Sequence, residues 1–571
     1  MAGGDSGGKL GGIINLATST NSTAGAEVFD SQSTNTFLLV GALNTKRESA
    51  AAVVLPNGLT LVVGGQSCAA KTVGGQSGFQ CDALQTAELY SESSKTFTVA
   101  GSGSGNLMTI ARSGPSATLI QGCGCALDGQ VLIVGGSTGS SFLSITPPTP
   151  GPGVPTGQVA LHTAELYNPA TDTFTATNAI PACAAGTQPP ACANGLASVC
   201  AGATSAISTA TESGTTVTVT MTTANPTGLT VGDGVTIANV VAGTPNNYNG
   251  SFTVATIPDG THFTYTAAAS GSPAGSGGTA ASDTFECGMV DQGAALIPND
   301  GGKVLLAGGD ILTFLGESSS TSFIFDPTTA TFSRTTGSMA SPRELFPLVA
   351  LEDPPVTGTL AGKVVAYGGI DANSAVCLTT PSTPVVATTL NSAEVFDPSS
   401  QTWSATANNM GAKRATVATL IKAGSLAGEV IIPGGVDVEA GTFPSTCAAT
   451  TGIKQAALSE TDLYDPGTGV GGTFSATGSL NQAREGQGQG VIGSGTDVTD
   501  VLVIGGACTT PTPSLQSVTI GTAQAAITCG NASAQNDYSE LYSQSLKTWA
   551  VGPGPAASFT PTNGPVSAVL P

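Results

Sequence analysis

Residues 163–176 read TAELYNPATDTFTA. An acidic residue and two apolar residues are followed by the turn-like segment NPATD and then by Thr-Phe-Thr. Two short strands joined by a tight turn of Asn, Asp, Pro and Thr residues have this pattern. The segment therefore predicts a β-hairpin whose two aromatic residues, Tyr167 and Phe174, pack between sheets.

The same hairpin pattern occurs in seven copies along the chain. They are AEVFDSQSTNTF (26–37), AELYSESSKTF (87–97), AELYNPATDTF (164–174), FIFDPTTATF (323–332), AEVFDPSSQTW (393–403), TDLYDPGTGVGGTF (461–474) and SELYSQSLKTW (539–549). The two aromatic residues are seven positions apart in five copies, eight in the first and ten in the sixth. This recurrence predicts a repeat architecture rather than one ordinary hairpin.

A second motif, an apolar run that ends in Gly-Gly, precedes most of the hairpins. Its copies are LTLVVGG (59–65), QVLIVGG (130–136), KVLLAGG (303–309), KVVAYGG (363–369), EVIIPGG (429–435) and DVLVIGG (500–506). A further short apolar strand, such as PSATLI at 115–120, stands before each run. Each unit therefore contains four predicted strands.

These four-stranded units, with a di-Gly motif and a downstream aromatic pair, resemble kelch repeats, and seven in series resemble a kelch β-propeller. The resemblance implies an all-β fold, a seven-bladed propeller formed by residues 1–200 and 286–571. NGPVSAVLP (563–571) looks like the first strand of a unit, and Gly11-Gly12 looks like the end of a second strand. We therefore expect the C-terminal strand to join the N-terminal blade and close the ring.

Residues 201–285 differ from the repeats and predict an inserted small β domain. The segments 215–241 and 248–266 alternate apolar and polar residues with turn residues between them. They resemble the small β modules of secreted bacterial and phage-tail proteins, so we expect a β-sandwich-like module. GSPAGSGGTAAS (271–282) predicts a flexible linker that returns to the propeller.

The composition limits the class of protein and its partners. Of the 571 residues only 9% are charged and 40% are hydrophobic, with 77 Gly and 34 Pro, which is typical of strands separated by turns. The formal net charge of −21 repels a phosphate backbone, so we expect no nucleic-acid partner. No apolar run reaches the roughly 18 residues that a membrane helix needs.

The twelve cysteines, an even number, favour an oxidising compartment, and hence an extracellular or cell-surface location. Scattered buried thiols are the alternative. The first ten residues, MAGGDSGGKL, have no apolar core of a signal peptide, so the expected secretion signal is not found in this chain.

Most of the extra sequence belongs to one face of the expected propeller, which we call the loop face. It carries the loops between the second and third strands of each unit and the links from a fourth strand to the next first strand. The long segments are 66–85, 137–162, 370–391, 436–460, 507–537 and the link 178–286.

Their positions predict four disulfides: Cys68–Cys81, Cys508–Cys529, Cys377–Cys447 and Cys200–Cys287. The pairing of Cys123, Cys125, Cys183 and Cys192 stays open. A metal site at the CGC segment 123–125 is disfavoured because no His or second close Cys pair accompanies it.

Five of the six arginines recur at the link that leads into a first strand: Arg47, Arg112, Arg343, Arg414 and Arg484. One hypothesis is a ring that binds a carboxylate or a sulfated sugar at the mouth of the channel. The other, which we favour, is that each guanidinium pairs with a repeat acid or with carbonyl groups between blades. The repeat acids are Glu27, Glu88, Glu165, Glu394, Asp462 and Glu540.

Few residues of the chain are candidates for a catalytic role. The architecture is similar to that of copper-radical oxidases like galactose oxidase, whose sites need two His ligands, two Tyr and a Cys. The chain has only His162 and His262, and His262 lies in the insertion, so this activity and schemes built on Ser-His-Asp or several His are disfavoured. Asp310, Asp371 and Asp437 follow di-Gly motifs, where we favour turn capping over calcium binding. We expect no cofactor and no metal.

The function that these features favour is that of a non-enzymatic extracellular protein. The propeller would display disulfide-stapled loops and a β module for contact with protein partners or with itself, in a filament or surface layer. The alternative is a carbohydrate-binding or carbohydrate-active propeller, although few aromatic residues remain for stacking on sugars. An enzyme that uses carboxylates alone in the channel stays open.

Overall fold

The computed structural model describes residues 24–30, 36–73, 76–144, 159–180, 204–222, 234–259, 261–267, 269–282, 289–310, 318–373, 386–439, 454–492, 500–506 and 539–552. Its regular structure is β throughout, apart from a single 3-10 turn at Ser102–Ser104. A helix with the length and apolarity for crossing a bilayer is absent from this part of the chain.

Six four-stranded antiparallel sheets, here called blades 1 to 6 in chain order, form a β-propeller. In each blade the strands pair in their sequence order. The strands of blades 1 to 3 are Ala51–Val54, Thr60–Val63, Ala87–Ser91 and Thr96–Val99; Ser116–Leu119, Val131–Val134, Ala164–Asn168 and Thr173–Ala176; and Gly293–Leu296, Val304–Ala307, Ser322–Asp326 and Thr331–Arg334.

Blades 4 to 6 repeat this arrangement. Their strands are Leu348–Ala350, Val364–Tyr367, Ala393–Asp397 and Thr402–Ala405; Thr419–Leu420, Val430–Pro433, Thr461–Asp465 and Thr473–Ala476; and Gly488–Val491, Val501–Ile504, Glu540–Ser543 and Thr548–Val551. In every blade the second strand is the apolar run before the di-Gly motif, and all four of its residues are buried.

The predicted hairpins form in all seven copies. Tyr167 lies directly opposite Phe174 in the hairpin that opened the sequence analysis, and their ring centroids are 4.8 Å apart. In the sixth copy, which has the longest turn, the ring centroids of Tyr464 and Phe474 are 5.0 Å apart. The extra residues of that copy therefore lengthen the turn and leave the aromatic pair in register.

The hydrophobic core lies between successive blades rather than inside any one of them. Tyr167 of blade 2, for example, packs with Leu61 and Val63 of blade 1. Tyr464 of blade 5 meets Tyr367 of blade 4 edge to face, with ring centroids 5.4 Å apart. A single blade therefore cannot bury its apolar surface without its neighbours.

The first aromatic pair lies on a two-stranded sheet, Glu27–Asp30 with Thr36–Leu39, here called the N-terminal sheet. Its Phe37 packs on blade 6 beside Leu502 and Ile504, and Gly41 just after it donates a backbone hydrogen bond to Lys95 of blade 1. The segments expected to complete this sheet, 11–12 and 563–571, lie outside the described residues. The ring thus has six four-stranded blades and one two-stranded sheet among the described residues.

The di-Gly motifs allow neighbouring blades to approach closely. Both glycines of each motif adopt positive φ, as at Gly64 (65°) and Gly65 (90°). The N–H of Gly65 donates to the carbonyl of Arg112 at the start of the next blade, at 2.8 Å. A Cβ on Gly64 would lie 2.6 Å from the Arg112 carbonyl oxygen, and one on Gly65 would lie 2.5 Å from the Glu48 carbonyl oxygen, so glycine is required at both positions.

The long loops between second and third strands form sheets of their own on the loop face. In blades 1 and 2 they give a three-stranded sheet of Gln66–Val73, Gln76–Ala83 and Ser140–Ser144, beside a short pair of Ser137–Thr138 and Val159–Ala160. In blades 4 and 5 they give a four-stranded sheet of Ile370–Asn373, Val386–Thr389, Val436–Glu439 and Lys454–Ala457. Each of the two larger sheets joins the loops of two neighbouring blades.

Residues 204–282 form a separate sheet around its own hydrophobic cluster. Its strands are Thr204–Ser213, Thr216–Met221, Gly234–Ala238, Gly250–Asp259, His262–Thr266, Gly275–Ser276 and Thr279–Ser282. Thr204–Ser213 pairs with both Thr216–Met221 and Thr279–Ser282, so the sheet closes on itself instead of forming the two layers of a sandwich. Irregular register between Ile207 and Thr209 accompanies this change of partner.

The prediction of a flexible linker at 271–282 is wrong. Gly275–Ser276 and Thr279–Ser282 are strands of the inserted sheet, and Ala280 is fully buried. Small residues suit this position because the strand passes close to its neighbours: a Cβ on Gly275 would lie 2.7 Å from the Val240 side chain. Composition alone predicted a linker because it carries no information about how tightly these residues pack.

We predict that Gly64→Ala destabilises the protein more than the matched change Gly58→Ala. Both positions have positive φ, which costs a non-glycine residue roughly 1–2 kcal/mol. Nothing lies within 4 Å of a Cβ on Gly58, whereas a Cβ on Gly64 would lie 2.6 Å from the Arg112 carbonyl oxygen. The clash adds about 1–3 kcal/mol. Urea unfolding of both variants measures the difference, and equal losses would contradict this account of blade contact.

Candidate functional site on the loop face

The five recurring arginines are completely buried. Each has no exposed surface and forms an ion pair with the repeat acid on the third strand of its own blade. The pairs are Arg47–Glu88, Arg112–Glu165, Arg343–Glu394, Arg414–Asp462 and Arg484–Glu540, with N···O distances of 2.7–3.0 Å. The acids are at most 4% exposed.

Arg112 shows how the guanidinium binds its own blade. Its Nε donates to Glu165 at 3.0 Å, and its Nη1 donates to the carbonyls of Gly135 and Thr163, both at 2.9 Å. Its Nη2 donates to the Thr163 hydroxyl, also at 2.9 Å. Burial lowers the pKa of the Arg112 guanidinium, and the carboxylate of Glu165 opposes that shift. The side chain thus connects the second and third strands at the point where the first strand begins.

The carboxylate of each pair also holds the preceding link. Glu165 accepts hydrogen bonds from the backbone N–H groups of Thr109 and Ile110, at 2.6 and 3.3 Å. Glu394 accepts from Ala340 and Ser341 in the same way, at 2.7 and 3.2 Å. The acid therefore satisfies an arginine and two backbone donors, which is what a buried charge needs.

These contacts are the structural role that the sequence analysis favoured. They differ in one respect, because the side chain pairs within its own blade and the preceding blade is contacted by backbone groups. The carbonyl of Arg112 accepts from Gly65, and its N–H donates to the carbonyl of Leu84. In this arrangement the guanidinium groups have no surface to offer to an anion. A binding role for Arg47, Arg112, Arg343, Arg414 and Arg484 would require these pairs to open.

Blade 3 replaces the ion pair with two apolar residues. Met289 takes the position of the arginine, since its carbonyl accepts from Gly136 as the carbonyl of Arg112 accepts from Gly65. Phe323 takes the position of the acid on the third strand. Both are buried in one hydrophobic cluster. The two residues change together, so the chain itself indicates that arginine and acid are needed as a pair.

Sequence reasoning missed this exchange, although its signal was present. The fourth hairpin copy has Phe323 where the other six have an acid, and no arginine lies at the link before Gly293. Alignment of the seven copies position by position would have found it.

Four carboxyl groups of blades 3 and 4 form a cluster on the loop face: Asp291, Asp310, Glu344 and Asp371. Glu344 is completely buried, and burial raises its pKa well above the usual range, with further raising by the charges of Asp310 and Asp291. Burial also raises the pKa of Asp291 to about 6. The pKa of Asp371 is raised by burial and lowered by Arg343. This cluster holds protons more tightly than isolated carboxyl groups do.

The three acids that follow di-Gly motifs differ in their surroundings. Asp310 is buried and makes backbone bridges to Val290 and Ser318. Asp437 is buried and accepts a hydrogen bond from the Thr389 hydroxyl. This bond joins the loops of blades 4 and 5 within the sheet that they share. Asp371 is half-buried beside Arg343.

Two disulfides lie in the described residues. Cys68–Cys81 is the predicted bond across the hairpin of the blade 1 loop, and it is buried. Cys123 and Cys125, whose pairing stayed open, are joined to each other. The other predicted partners, Cys200, Cys287, Cys377, Cys447, Cys508 and Cys529, lie outside the described residues, as do Cys183 and Cys192.

The described part of the chain has one group of side chains that could act together as metal ligands. One group of three donor side chains lies close enough together for a common ion, namely Glu48 with Cys68 and Cys81. Their sulfurs are joined in the disulfide, so they are not thiolate ligands. His162 is buried on the loop face of blade 2, and His262 belongs to the inserted sheet.

Comparison with known proteins agrees with the fold. A family model of the kelch motif matches residues 354–410, which contain the second, third and fourth strands of blade 4. No curated protein matches the chain. A solved structure titled "Structure of YjhT" is 10% identical and covers 89% of this chain and 98% of its own, with a TM-score of 0.38. The protein is an all-β propeller that carries a kelch motif.

We predict that Arg112→Met is strongly destabilising alone and is largely rescued by Glu165→Phe. The single change leaves the Glu165 charge buried without its partner, which costs about 3–5 kcal/mol. The double variant copies Met289 and Phe323 of blade 3. A double-mutant cycle from denaturant unfolding gives the coupling energy. Additive losses would show that the two positions are independent.

We predict that the melting temperature rises as pH falls from 7 to 5. The pKa of Asp291 is about 6 in the fold, against about 3.9 in an unfolded chain. Between these two pKa values the native state binds more protons than the unfolded state. Stability is therefore greatest below the unfolded-state pKa and is lost as the pH rises through the folded-state pKa.

Asp291→Asn should flatten this pH dependence. Asp397→Asn is the matched control, because the Ser399 hydroxyl and Lys363 lower the pKa of Asp397 to about 2 and its ionisation does not change in this range. Calorimetry at pH 5 and 7 measures both variants. An unchanged slope in Asp291→Asn would contradict the assignment.

Proposed function

We propose that this protein is a non-enzymatic extracellular scaffold whose loop face binds protein partners, including further copies of the same chain. The observation that carries the proposal is the pair of loop sheets, each built jointly by neighbouring blades. A propeller needs only short loops to close its blades. Loops that build sheets of their own on a single face favour a role in contact with other molecules.

The charged residues of the repeats support a scaffold role for the ring. The recurring arginines and acids are bound to each other and to backbone groups, and the aromatic pairs fill the spaces between blades. These side chains are therefore occupied in holding the propeller together. We assign recognition to the loop sheets, which lie outside the strands that form the ring.

The loop sheets offer strand edges to a partner. Gln66–Val73 is an outer strand of the three-stranded sheet, and Ile370–Asn373 is an outer strand of the four-stranded one. Gln66 and Ile370 pair with Glu48 and Glu344, and an outer strand of a sheet can add a strand from another chain along its edge. This chemistry favours protein partners and self-association over a small molecule.

A seven-bladed ring is part of the proposal. The N-terminal sheet contacts blades 6 and 1 and holds the aromatic pair of Phe29 and Phe37, in addition to the six pairs of the blades. Segments 11–12 and 563–571 would supply its two inner strands, with the C-terminal strand closing the ring. Residues 201–285 would act as a separate module inserted after blade 2.

An extracellular location is supported by the two disulfides of the described residues. Cysteines in a reducing cytosol are rarely joined in this way. The carbohydrate-binding alternative has no comparable support, because the aromatic residues of the hairpins are used in packing.

Sedimentation velocity over a concentration series, with negative-stain microscopy of the same samples, tests the proposal. In the loop variant an Asn-Gly turn replaces 67–82, so that Gln66 and Ala83, which already pair, close a short hairpin. In the control, Glu92→Gln with Lys95→Gln removes an exposed ion pair from the opposite face. We expect oligomers or fibres for the parent chain and the control, and their loss in the loop variant.

A chain that stays monomeric at every concentration and gains a specific signal on a glycan array would contradict the proposal. Self-association that is the same in the loop variant as in the parent would contradict the role of the loop sheet. Thermal unfolding of each variant checks that the ring itself is intact.

A further inference from the structure

The segment QGCGCALDGQ (121–130) connects the first and second strands of blade 2, on the face opposite to the loop face. It contains the disulfide between Cys123 and Cys125, which are separated by one residue. Cys123 packs at the edge of the hydrophobic cluster between blades 2 and 3, but the proposed function does not use the bond. Its surroundings differ from those of the other described disulfide.

Exposure is the first difference. Cys68 and Cys81 are 2% and 0% exposed, so a thiol in solution cannot reach their sulfurs without opening the fold. Cys123 and Cys125 are only half-buried, and Gly124 between them is exposed. Exposed disulfides are the ones that exchange with external thiols, whereas buried ones resist reduction.

The segment is held in place by hydrogen bonds that do not involve the disulfide. The carboxylate of Asp128 accepts from the N–H groups of Gly122 and Gly124, at 3.0 and 3.2 Å. The N–H of Gly129 donates to the carbonyl of Ile120 at 2.9 Å. A bond that closes so short a loop also constrains the unfolded chain little. The disulfide can therefore open while the segment keeps its shape.

The two sulfurs have different neighbours. The backbone N–H of Cys125 points at the Cys123 sulfur, at 3.2 Å, and an N–H donor stabilises a thiolate. The Cys125 sulfur lies 3.6 Å from the carbonyl oxygen of Pro327 in blade 3. This oxygen disfavours a negative charge on Cys125 and can accept the proton of its thiol. Cys123 is thus the better leaving thiolate.

We propose that Cys123–Cys125 is a thiol–disulfide exchange site that oxidises thiols of small molecules or of cysteine-containing chains. A substrate thiolate attacks the Cys125 sulfur and forms a mixed disulfide. The bond between the two cysteines breaks, and its electron pair goes to Cys123 as a thiolate.

A second substrate thiolate then attacks the substrate sulfur of the mixed disulfide. The electron pair of that bond goes to Cys125, which takes up a proton. Two substrate thiols become one disulfide, and the protein disulfide becomes a dithiol. The two protons end on the cysteine sulfurs or in solvent. An external disulfide, such as oxidised glutathione, reverses the steps and restores the bond.

Charged groups also lie on the segments that meet at the pair. They are Asp128 on the same segment, Asp326 beside Pro327, and the ion-paired Asp300 and Lys303 of the neighbouring connection. That connection packs closely, since a Cβ on Gly302 would lie 2.8 Å from the Cys123 side chain. Single-cysteine variants keep all of these groups, so a difference in reactivity between them reports the N–H and carbonyl neighbours.

The test is a glutathione redox titration of the oxidised full-length chain, with differential alkylation and peptide mass spectrometry. The redox variable is the squared concentration of reduced glutathione divided by the concentration of oxidised glutathione. We expect the value at which half of the Cys123–Cys125 bonds are reduced to be at least tenfold lower than the value for Cys68–Cys81. A tenfold difference corresponds to about 30 mV. Circular dichroism should stay unchanged over this step.

Reduction of both disulfides together, or of Cys123–Cys125 only in denaturant, would overturn the proposal. So would direct alkylation of both residues in the unreduced protein, because the bond would then be absent.

Cys125→Ser and Cys123→Ser test which sulfur leaves. Iodoacetamide should modify the remaining Cys123 with a lower apparent pKa than the remaining Cys125, and the opposite order would overturn the assignment. If either variant fails to fold, the titration of the unaltered chain decides alone.

Discussion

The ion pair between a buried arginine and a buried acid is the interaction on which each complete blade except blade 3 depends. The arginine lies where the chain enters a blade, and the acid lies on the third strand. The pair therefore attaches the start of the first strand to the third strand. The arginine has no exposed surface and the acid at most 4%, so each charge is tolerated only because the other is present. The carbonyl of the same arginine accepts a hydrogen bond from the second glycine of the preceding blade, so one residue serves both the blade and the ring.

Blade 3 shows that the constraint applies to the pair and not to charge as such. Met289 and Phe323 fill the same space with apolar contacts, and the di-Gly hydrogen bond to Met289 is kept. Replacing a complete ion pair by apolar residues of similar size is tolerated in proteins, whereas removing one partner is not. The separate sheet with strands between Thr204 and Ser282 lies in the link that leads into this blade. A blade entrance without an ion pair is thus compatible with a long interruption of the chain.

The two faces of the ring differ in the length of the connections between their strands. On the loop face the long connections of blades 1, 2, 4 and 5 pair across blades into sheets, and Ile370 of one of these sheets pairs with Glu344. On the opposite face the connections are short, and one of them carries a disulfide within three residues. The core between blades separates the two faces. Chemistry at Cys123–Cys125 can therefore change without disturbing contacts made by the loop sheets.

The sequence by itself determined the repeat, the hairpins and the strand order. Aromatic spacing and the di-Gly motifs are local properties, and a hairpin such as 164–174 forms from contacts within eleven residues. Tertiary structure decided the burial and pairing of residues whose partners are far away in the sequence. Arg112 meets Glu165 across 53 positions, and only folding shows that the five recurring guanidinium groups are buried. Only folding showed that 275–282 completes a closed sheet and that Cys123 bonds Cys125. The physical reason is that burial, and with it charge and reactivity, depends on neighbours that the chain brings together only in three dimensions.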